Sequence, residues 1–275
     1  MYNLLRGALG IGLSAALVSS AHAIELTWTS APVLVNVPSQ GGERRSQVLV
    51  QPVNLTSEQV VVFPPFAGKT PLAGFNATAQ GNQTFQIKSQ GTGNYHWLTA
   101  NSADGKRFAS SVYYFANPGA APRHLLQQTF QPLEIKPIDL PREHNQYRAN
   151  ETWRFKANFQ GNALGNTPIQ FASSNGTQQN LMTDVNGLVA VTFPNDFQAQ
   201  TPESEHAQHQ THAGHGRRQL AQFALSVTQG EQIAAFNYQY APDAFTHKSV
   251  LPALGFALAG MLLASPLLWY RRKAA

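Results

Sequence analysis

The chain has 275 residues, of which 43% are hydrophobic and 12% are charged, and it contains no cysteine. Without thiols, disulfide bonds, cysteine nucleophiles and cysteine-based zinc sites are excluded. Four of the 19 lysines and arginines fall in the two terminal segments described below, so the body of the chain carries 15 cations against 14 acids. This balance excludes nucleic acid as an expected partner.

Residues 1–23 predict a secretory signal peptide. Arg6 precedes an apolar run from Ala8 to Val18, and Ala21-His22-Ala23 has the small-x-small form of a cleavage site. The mature chain is therefore expected to begin at Ile24. The alternative, an uncleaved anchor, is disfavoured because the apolar run is short.

Residues 24–116 predict a first β-sandwich domain of antiparallel strands, because short alternating or β-branched runs are separated by polar turns. Asp104-Gly105 predicts the tight turn of a hairpin, since glycine accepts a positive φ. His96 is expected to be a residue of the sheet rather than a metal ligand. The predicted strands are Glu25–Trp28, Gln47–Val50, Gln59–Phe63, Gln83–Ile87, Tyr95–Ala100 and Arg107–Phe115.

Residues 117–141 are rich in proline and predict a junction, because proline lacks a backbone donor and is excluded from central strands. Residues 142–245 predict a second β-sandwich domain. Asn186-Gly187 is expected at the tip of a hairpin. No amphipathic helix is expected before residue 249. The predicted strands are Thr152–Phe159, Pro168–Ala172, Leu188–Pro194, Ala221–Thr228 and Ala234–Tyr240.

Residues 198–219, the His-rich segment, predict a long loop with histidine at every third position over ten residues: His206, His209, His212 and His215. On a helix a step of three turns a side chain by about 300°, which would place the first and last rings on opposite sides. A flexible loop can instead bring several rings to one ion. Neutral imidazole is a good ligand for Ni²⁺, Co²⁺, Zn²⁺ and Cu²⁺, so the sequence predicts a divalent transition metal site at these four histidines.

Two other interpretations of the His-rich segment stay open. One is a solvated polar loop that happens to be rich in histidine, and the other is a pH sensor, because histidines change charge between about pH 5 and 8. The HExxH pattern of zinc proteases is absent. His124, His144 and His247 stand alone in the sequence and are possible additional ligands.

Residues 249–270 predict a transmembrane helix, since the uncharged run of this length spans roughly 30 Å at about 1.5 Å per residue. Trp269 and Tyr270 fit an interfacial aromatic belt. Arg271-Arg272-Lys273 follows, which places the tail, residues 271–275, in the cytoplasm. A buried core helix and a sorting signal that is later removed are the alternatives.

The predicted fold class is therefore mainly β, with two antiparallel immunoglobulin-like β-sandwich domains followed by one C-terminal transmembrane helix. The expected location is a bacterial inner membrane, with both domains in the periplasm. Sequons such as Asn54-Leu55-Thr56 would carry glycans if the chain were instead exported by a eukaryotic cell.

The second half contains four runs that together form a pattern: Leu133–Ile138, Tyr147–Phe155, Gly161–Ile169 and Thr183–Gly187. In these runs the chain resembles a bacterial family of periplasmic components of nickel/cobalt-type uptake systems. The resemblance implies an immunoglobulin-like fold in the periplasm. It implies no ligand residues, because Asn150-Glu151 and Asn162-Ala163-Leu164 depart from the family pattern.

Two functions of different classes follow from the sequence. The first is a membrane-anchored periplasmic accessory protein that binds a divalent transition metal and serves its uptake or delivery, with a metal transporter or receptor as partner. The second is a non-catalytic envelope interaction module with no metal role. An enzyme is not expected, because neither a nucleophile elbow nor a phosphate-binding loop is present.

Overall fold

The computed structural model describes residues 26–37, 46–67, 69–116, 119, 122–141, 146–197 and 219–243, together with three single positions near the C-terminus. The first part of the described chain forms ten strands: β1 Val33–Val37, β2 Gln47–Val53, β3 Val60–Phe63, β4 Phe66–Ala67, β5 Thr70–Pro71, β6 Phe75–Asn76, β7 Thr78–Gly81, β8 Thr84–Lys88, β9 Tyr95–Asn101 and β10 Arg107–Tyr114.

The second part of the described chain begins with a short helix and continues with strands. They are α1 Arg123–Gln127, β11 Leu133–Pro137, β12 Tyr147–Arg148, β13 Thr152–Phe159, β14 Asn162–Ala163, β15 Pro168–Ser173, β16 Gln178–Met182, β17 Leu188–Thr192, β18 Ala221–Gln229 and β19 Gln232–Ala241. The prediction of a mainly β chain is confirmed.

Three sheets make up most of the fold. The first sheet has the order β1-β2-β8-β7, and the central sheet has the order β16-β15-β18-β19-β10-β9-β3-β6 with β12 beside β19. The third sheet has the order β11-β13-β14, and β17 also pairs with β13. The short strands β4 and β5 pair with each other, and Phe66 of β4 also forms an antiparallel bridge with Thr92. The central sheet thus contains strands from both predicted sandwiches.

The seam between the two halves is a parallel pairing of β10 with β19, in register from Arg107 opposite Ile233 to Ser111 opposite Asn237. Serine hydroxyls reinforce it, since Ser110 Oγ donates to the Ala235 carbonyl at 3.1 Å. The predicted domain bounds remain predictions, but the structure adds a continuous sheet across them.

The central sheet is covered on both faces along β9 and β10. Trp97 and Phe108 belong to the hydrophobic cluster shared with the third sheet. Their neighbours Leu98 and Ala109 point to the opposite face and belong to the cluster shared with the first sheet. The fold is therefore layered, with the first and third sheets on opposite faces of the central sheet.

Three local expectations were wrong or incomplete. Residues 26–28 of the first predicted strand lie outside strands, because two alternating apolar residues are too few to fix one, although Leu26 and Trp28 still pack on a buried valine cluster. Asn186-Gly187 does not close a hairpin, since β16 belongs to the central sheet and β17 to the third. The predicted junction contains α1 and β11, because one helical turn is too short to show a periodicity.

The predicted terminal segments lie largely outside the described residues. This holds for the signal peptide, residues 1–23, for the cytoplasmic tail, residues 271–275, and for most of the predicted transmembrane helix, residues 249–270. Gly255, Leu258 and Met261 are helical. Within the described part of the chain, no helix has the length and apolar character needed to cross a membrane.

Asn237 joins the first sheet to the central sheet. Its side-chain Nδ2 donates to the Leu34 carbonyl at 2.7 Å, and its Oδ1 accepts from the Leu34 N–H at 2.9 Å. Both bonds are buried, and they replace the partner strand that β1 lacks on this side. One side chain thus satisfies two backbone groups between layers.

Asn237→Ala is expected to lower the free energy of unfolding by about 2 to 4 kcal/mol, because it leaves two buried backbone groups unpaired. Urea unfolding followed by tryptophan fluorescence measures this. The control is Asn36→Ala, which removes an exposed amide from β1, the strand whose Leu34 is bonded by Asn237, and should change stability by less than about 0.5 kcal/mol. Equal effects of the two substitutions would contradict the bridging role.

Candidate functional site

The four predicted metal ligands, His206, His209, His212 and His215, lie outside the described residues, as do the possible additional ligands His144 and His247. The predicted metal site therefore stays a prediction. The structure does describe both ends of the His-rich segment, up to Phe197 on one side and from Gln219 on the other.

The two ends of the His-rich segment meet at Tyr240. On the incoming side, the Tyr240 hydroxyl donates to Asp196 Oδ1 at 2.6 Å, and the Phe197 ring lies 5.2 Å from the Tyr240 ring. On the outgoing side, Ala221 at the start of β18 is paired with Tyr240 of β19. The segment thus leaves the fold after β17 of the third sheet and returns to the central sheet at β18. Both of its ends contact the same residue, Tyr240.

Asp196 is the most heavily hydrogen-bonded carboxylate at this place. Besides the Tyr240 hydroxyl, Ser173 Oγ and Thr177 Oγ1 each donate to Oδ2 at 2.7 Å, and Asn175 Nδ2 donates to Oδ1 at 3.1 Å. Burial disfavours the charged carboxylate, but the four donors outweigh it and lower the pKa of Asp196. The carboxylate is a structural anchor whose oxygens are occupied by protein donors.

Sequence reasoning missed this cluster. Ser173, Asn175 and Thr177 lie in and after β15 and would each pass for an ordinary turn residue, while Asp196 follows β17 in a polar run. The available signal was the spacing of three polar side chains at alternate positions ahead of an isolated aspartate. Their convergence depends on packing between two sheets, which no local pattern encodes.

His96 is a core residue, as expected from its position in a strand. It is fully buried, and its Nε2 accepts the backbone N–H of Gln90 at 3.0 Å. The ring packs edge-on against Phe115 with centroids 4.6 Å apart. Burial lowers the pKa of His96 to about 4, because the charged imidazolium cannot be solvated there.

His124 lies on α1, with its ring tilted over Phe66 at 4.3 Å between centroids. Burial lowers its pKa. The described residues contain no group of three or more His, Cys, Asp or Glu side chains placed to hold a metal ion.

Comparisons with known proteins add little. No family model matches the chain, and no curated protein matches it. Among solved structures it is similar to a biofilm associated protein BSP domain, at 9% identity over 74% of this chain and 28% of that chain, with a TM-score of 0.23.

Two further solved structures show likenesses of the same size. One is a tetra-tandem repeat of a large adhesion protein, at 10% identity over 78% of this chain and 50% of that chain, with a TM-score of 0.23. The other is the chicken CNTN1 FN1-FN3 domains, at 9% identity over 78% of this chain and 68% of that chain, with a TM-score of 0.20. The chain spans half or less of the first two structures. At such TM-scores the likenesses carry no argument.

Asp196→Asn is expected to destabilise the fold by about 1 to 3 kcal/mol, because an amide oxygen replaces a charged acceptor and an N–H group then faces a donor. Thermal and urea unfolding measure the loss. Asp139→Asn, at an exposed position, is the matched control and should leave stability within about 0.5 kcal/mol. Unchanged stability of the Asp196 variant would contradict the anchoring role.

Protonation of His96 is expected to make the protein sensitive to acid. The pKa of His96 falls to about 4 on folding, so the unfolded chain binds the proton more readily than the folded protein. The contribution of His96 to the free energy of unfolding is therefore complete above about pH 6.5 and is lost as the pH falls toward 4. From pH 7 to pH 5 the loss is about 2 kcal/mol. Urea unfolding of the unchanged protein and of His96→Gln at pH 7 and pH 5 isolates the contribution of His96. If the free energy of unfolding changed equally with pH in both proteins, this role of His96 would be contradicted.

Proposed function

We propose that the protein binds a divalent transition metal ion, nickel, cobalt, zinc or copper, through His206, His209, His212 and His215. The observation that carries the proposal is the recurrence of histidine at every third position in one short polar run. Nickel, cobalt, zinc and copper all accept neutral imidazole, and four such donors fill most of a coordination shell.

The described ends of the His-rich segment support this proposal. Ordering a free backbone costs about 1 to 2 kcal/mol per residue, which weakens metal binding by an untethered run. Here Phe197 and Asp196 on one side, and Ala221 on the other, are all tied to Tyr240. Fixed ends reduce the number of conformations that the segment must give up when it closes around an ion.

The proposed setting is that of a non-catalytic accessory protein. We place its immunoglobulin-like sandwiches in the bacterial periplasm, with residues 249–270 as an inner-membrane anchor and a metal transporter or receptor as partner. This setting rests on the terminal sequence patterns and on the resemblance to uptake components. In it the layered sheets fix the two ends of the His-rich segment at Tyr240, and delivery is the transfer of the ion to the partner.

The proposal is tested by metal titration of the purified protein at neutral pH. We expect saturable uptake of at least one of the four metals by calorimetry or equilibrium dialysis. Changing His206, His209, His212 and His215 to Gln should abolish it. Binding should also weaken as the pH falls through about 6.5, because an imidazole must lose its proton to bind.

The matched control changes Gln208 and Gln210, which lie between the same histidines, to Ala. It should leave the stoichiometry and the dissociation constant unchanged. Undiminished uptake by the four-histidine variant, or no uptake by the unchanged protein, would contradict the proposal.

A second candidate function is an envelope interaction module. It is favoured by β16, which forms one end of the central sheet and exposes Met182 by 60%. The unpaired backbone of an edge strand can receive a strand from a partner. Deleting residues 203–215 separates the two functions. If the protein is a metal-binding accessory protein, the deletion abolishes both metal uptake and the cellular phenotype. If it is an interaction module, the deletion leaves the phenotype intact.

A further inference from the structure

A cavity of ≈ 540 Å³ lies between the α1 segment and the outer face of the third sheet. Its polar lining includes Arg123, Lys136, Asp139, Lys156 and Asn158. Cavities of roughly 300 to 1,000 Å³ are typical of small-molecule sites. None of its described lining residues belongs to the His-rich segment or to the Asp196 anchor.

The strand register brings two lysines together on the wall of this cavity. β11 and β13 are antiparallel, with Lys136 directly opposite Lys156 and Glu134 opposite Asn158. The alternate residues of both strands, such as Ile135, belong to the hydrophobic core. Like charges directly opposite each other in a sheet are destabilising, and Glu134, beside Lys136 on β11, supplies the counter-charge for only one of the two lysines.

Among the described residues, only one of the two lysines forms an ion pair with a carboxylate. Lys136 Nζ lies 3.0 Å from Glu134 Oε1 and also donates to the Gln128 carbonyl. Among the described residues, neither Lys156 nor Arg123 has an ion-pair partner within 4.0 Å. Beyond the Lys136–Glu134 pair, the lining therefore presents two cations against the single carboxylate of Asp139.

Asn158 adds a buried polar group without a partner. It is 8% exposed, and its Oδ1 has no hydrogen-bond partner in the described structure. A buried amide oxygen without a partner costs free energy, and Asn158 also lines the cavity. Its side-chain amide carries two N–H donors, which are suited to an oxygen acceptor.

We propose that this cavity binds a small molecule through an oxyanion group, a carboxylate or a phosphate. Lys156 and Arg123 supply charge-assisted hydrogen bonds to the oxygens, and the Asn158 amide supplies a neutral one. The bound anion supplies the counter-charge that Lys156 and Arg123 lack among the described residues. The site is independent of the proposed metal function, because it uses none of the histidines.

Titration of the full-length, metal-free protein with succinate and with inorganic phosphate at constant ionic strength tests the proposal. Saturable binding is expected by calorimetry, and the tighter of the two anions assigns the oxyanion class. Lys156→Gln should weaken binding roughly tenfold or more, the usual effect of losing one charge-assisted hydrogen bond. Lys88→Gln, an exposed lysine of β8, is the matched control and should bind as before.

Lys156→Glu separates loss of binding from loss of folding. It reverses the charge at the cavity wall and places a carboxylate opposite Lys136, so the fold should be kept while anion binding disappears. Anion binding that is retained by the folded Lys156→Glu variant would contradict the proposal. Absence of saturable binding by both anions, or undiminished binding by Lys156→Gln, would overturn the proposal.

Discussion

The fold depends on the parallel pairing of β10 with β19. Parallel strands need a long connection, and here Ser110 and the Ala235 carbonyl to which it donates are 125 residues apart in the chain. Both strands are buried on most of their length. Small residues at the seam, Ala109, Ser110 and Ser111, let two layers approach the central sheet at once, and the serine hydroxyls find backbone acceptors there.

This seam also sets the positions of the first sheet and of the two ends of the His-rich segment. β19 carries Asn237, which holds the first sheet, and Tyr240, which holds both ends of the His-rich segment. Asn237 and Tyr240 are three residues apart on one strand, so their side chains face different layers. A disturbance of β19 is therefore expected to reach the first sheet and the base of the segment together, because both depend on the same strand.

Strand positions were predictable from the sequence wherever a buried face produces alternation. Thr152–Phe159 shows this, since the predicted strand and β13 share the same bounds. Partners were not predictable. The Asp184-Asn186-Gly187 turn has the chemistry of a hairpin, with Asp184 Oδ1 accepting the Asn186 N–H at 2.8 Å, yet it carries the chain from one sheet to another. Turn residues determine only the local reversal of the chain. Which sheet the next strand joins is determined by how the side chains of that strand are buried.

The candidate sites divide in the same way. The histidine repeat is visible in one dimension, so His206 to His215 could be proposed from spacing alone. The Asp196 anchor and the Lys136–Lys156 pair could not, because each joins residues from different strands. The alternation in Leu133–Pro137 does place Glu134 and Lys136 on one face, but the register that sets Lys156 opposite Lys136 exists only in the folded sheet.

The buried Glu134–Lys136 pair is best understood through the cavity beside it. Both side chains are almost fully buried, at 2% and 6% exposure, and a buried ion pair seldom stabilises a fold more than well-packed apolar residues would. Phe130 covers the pair, with its N–H donating to Glu134 Oε2 at 3.2 Å and Lys136 Nζ lying 5.9 Å from its ring centre. This arrangement fixes Lys136 in place. Lys156, directly opposite it on β13, is therefore the lysine available to bind a ligand.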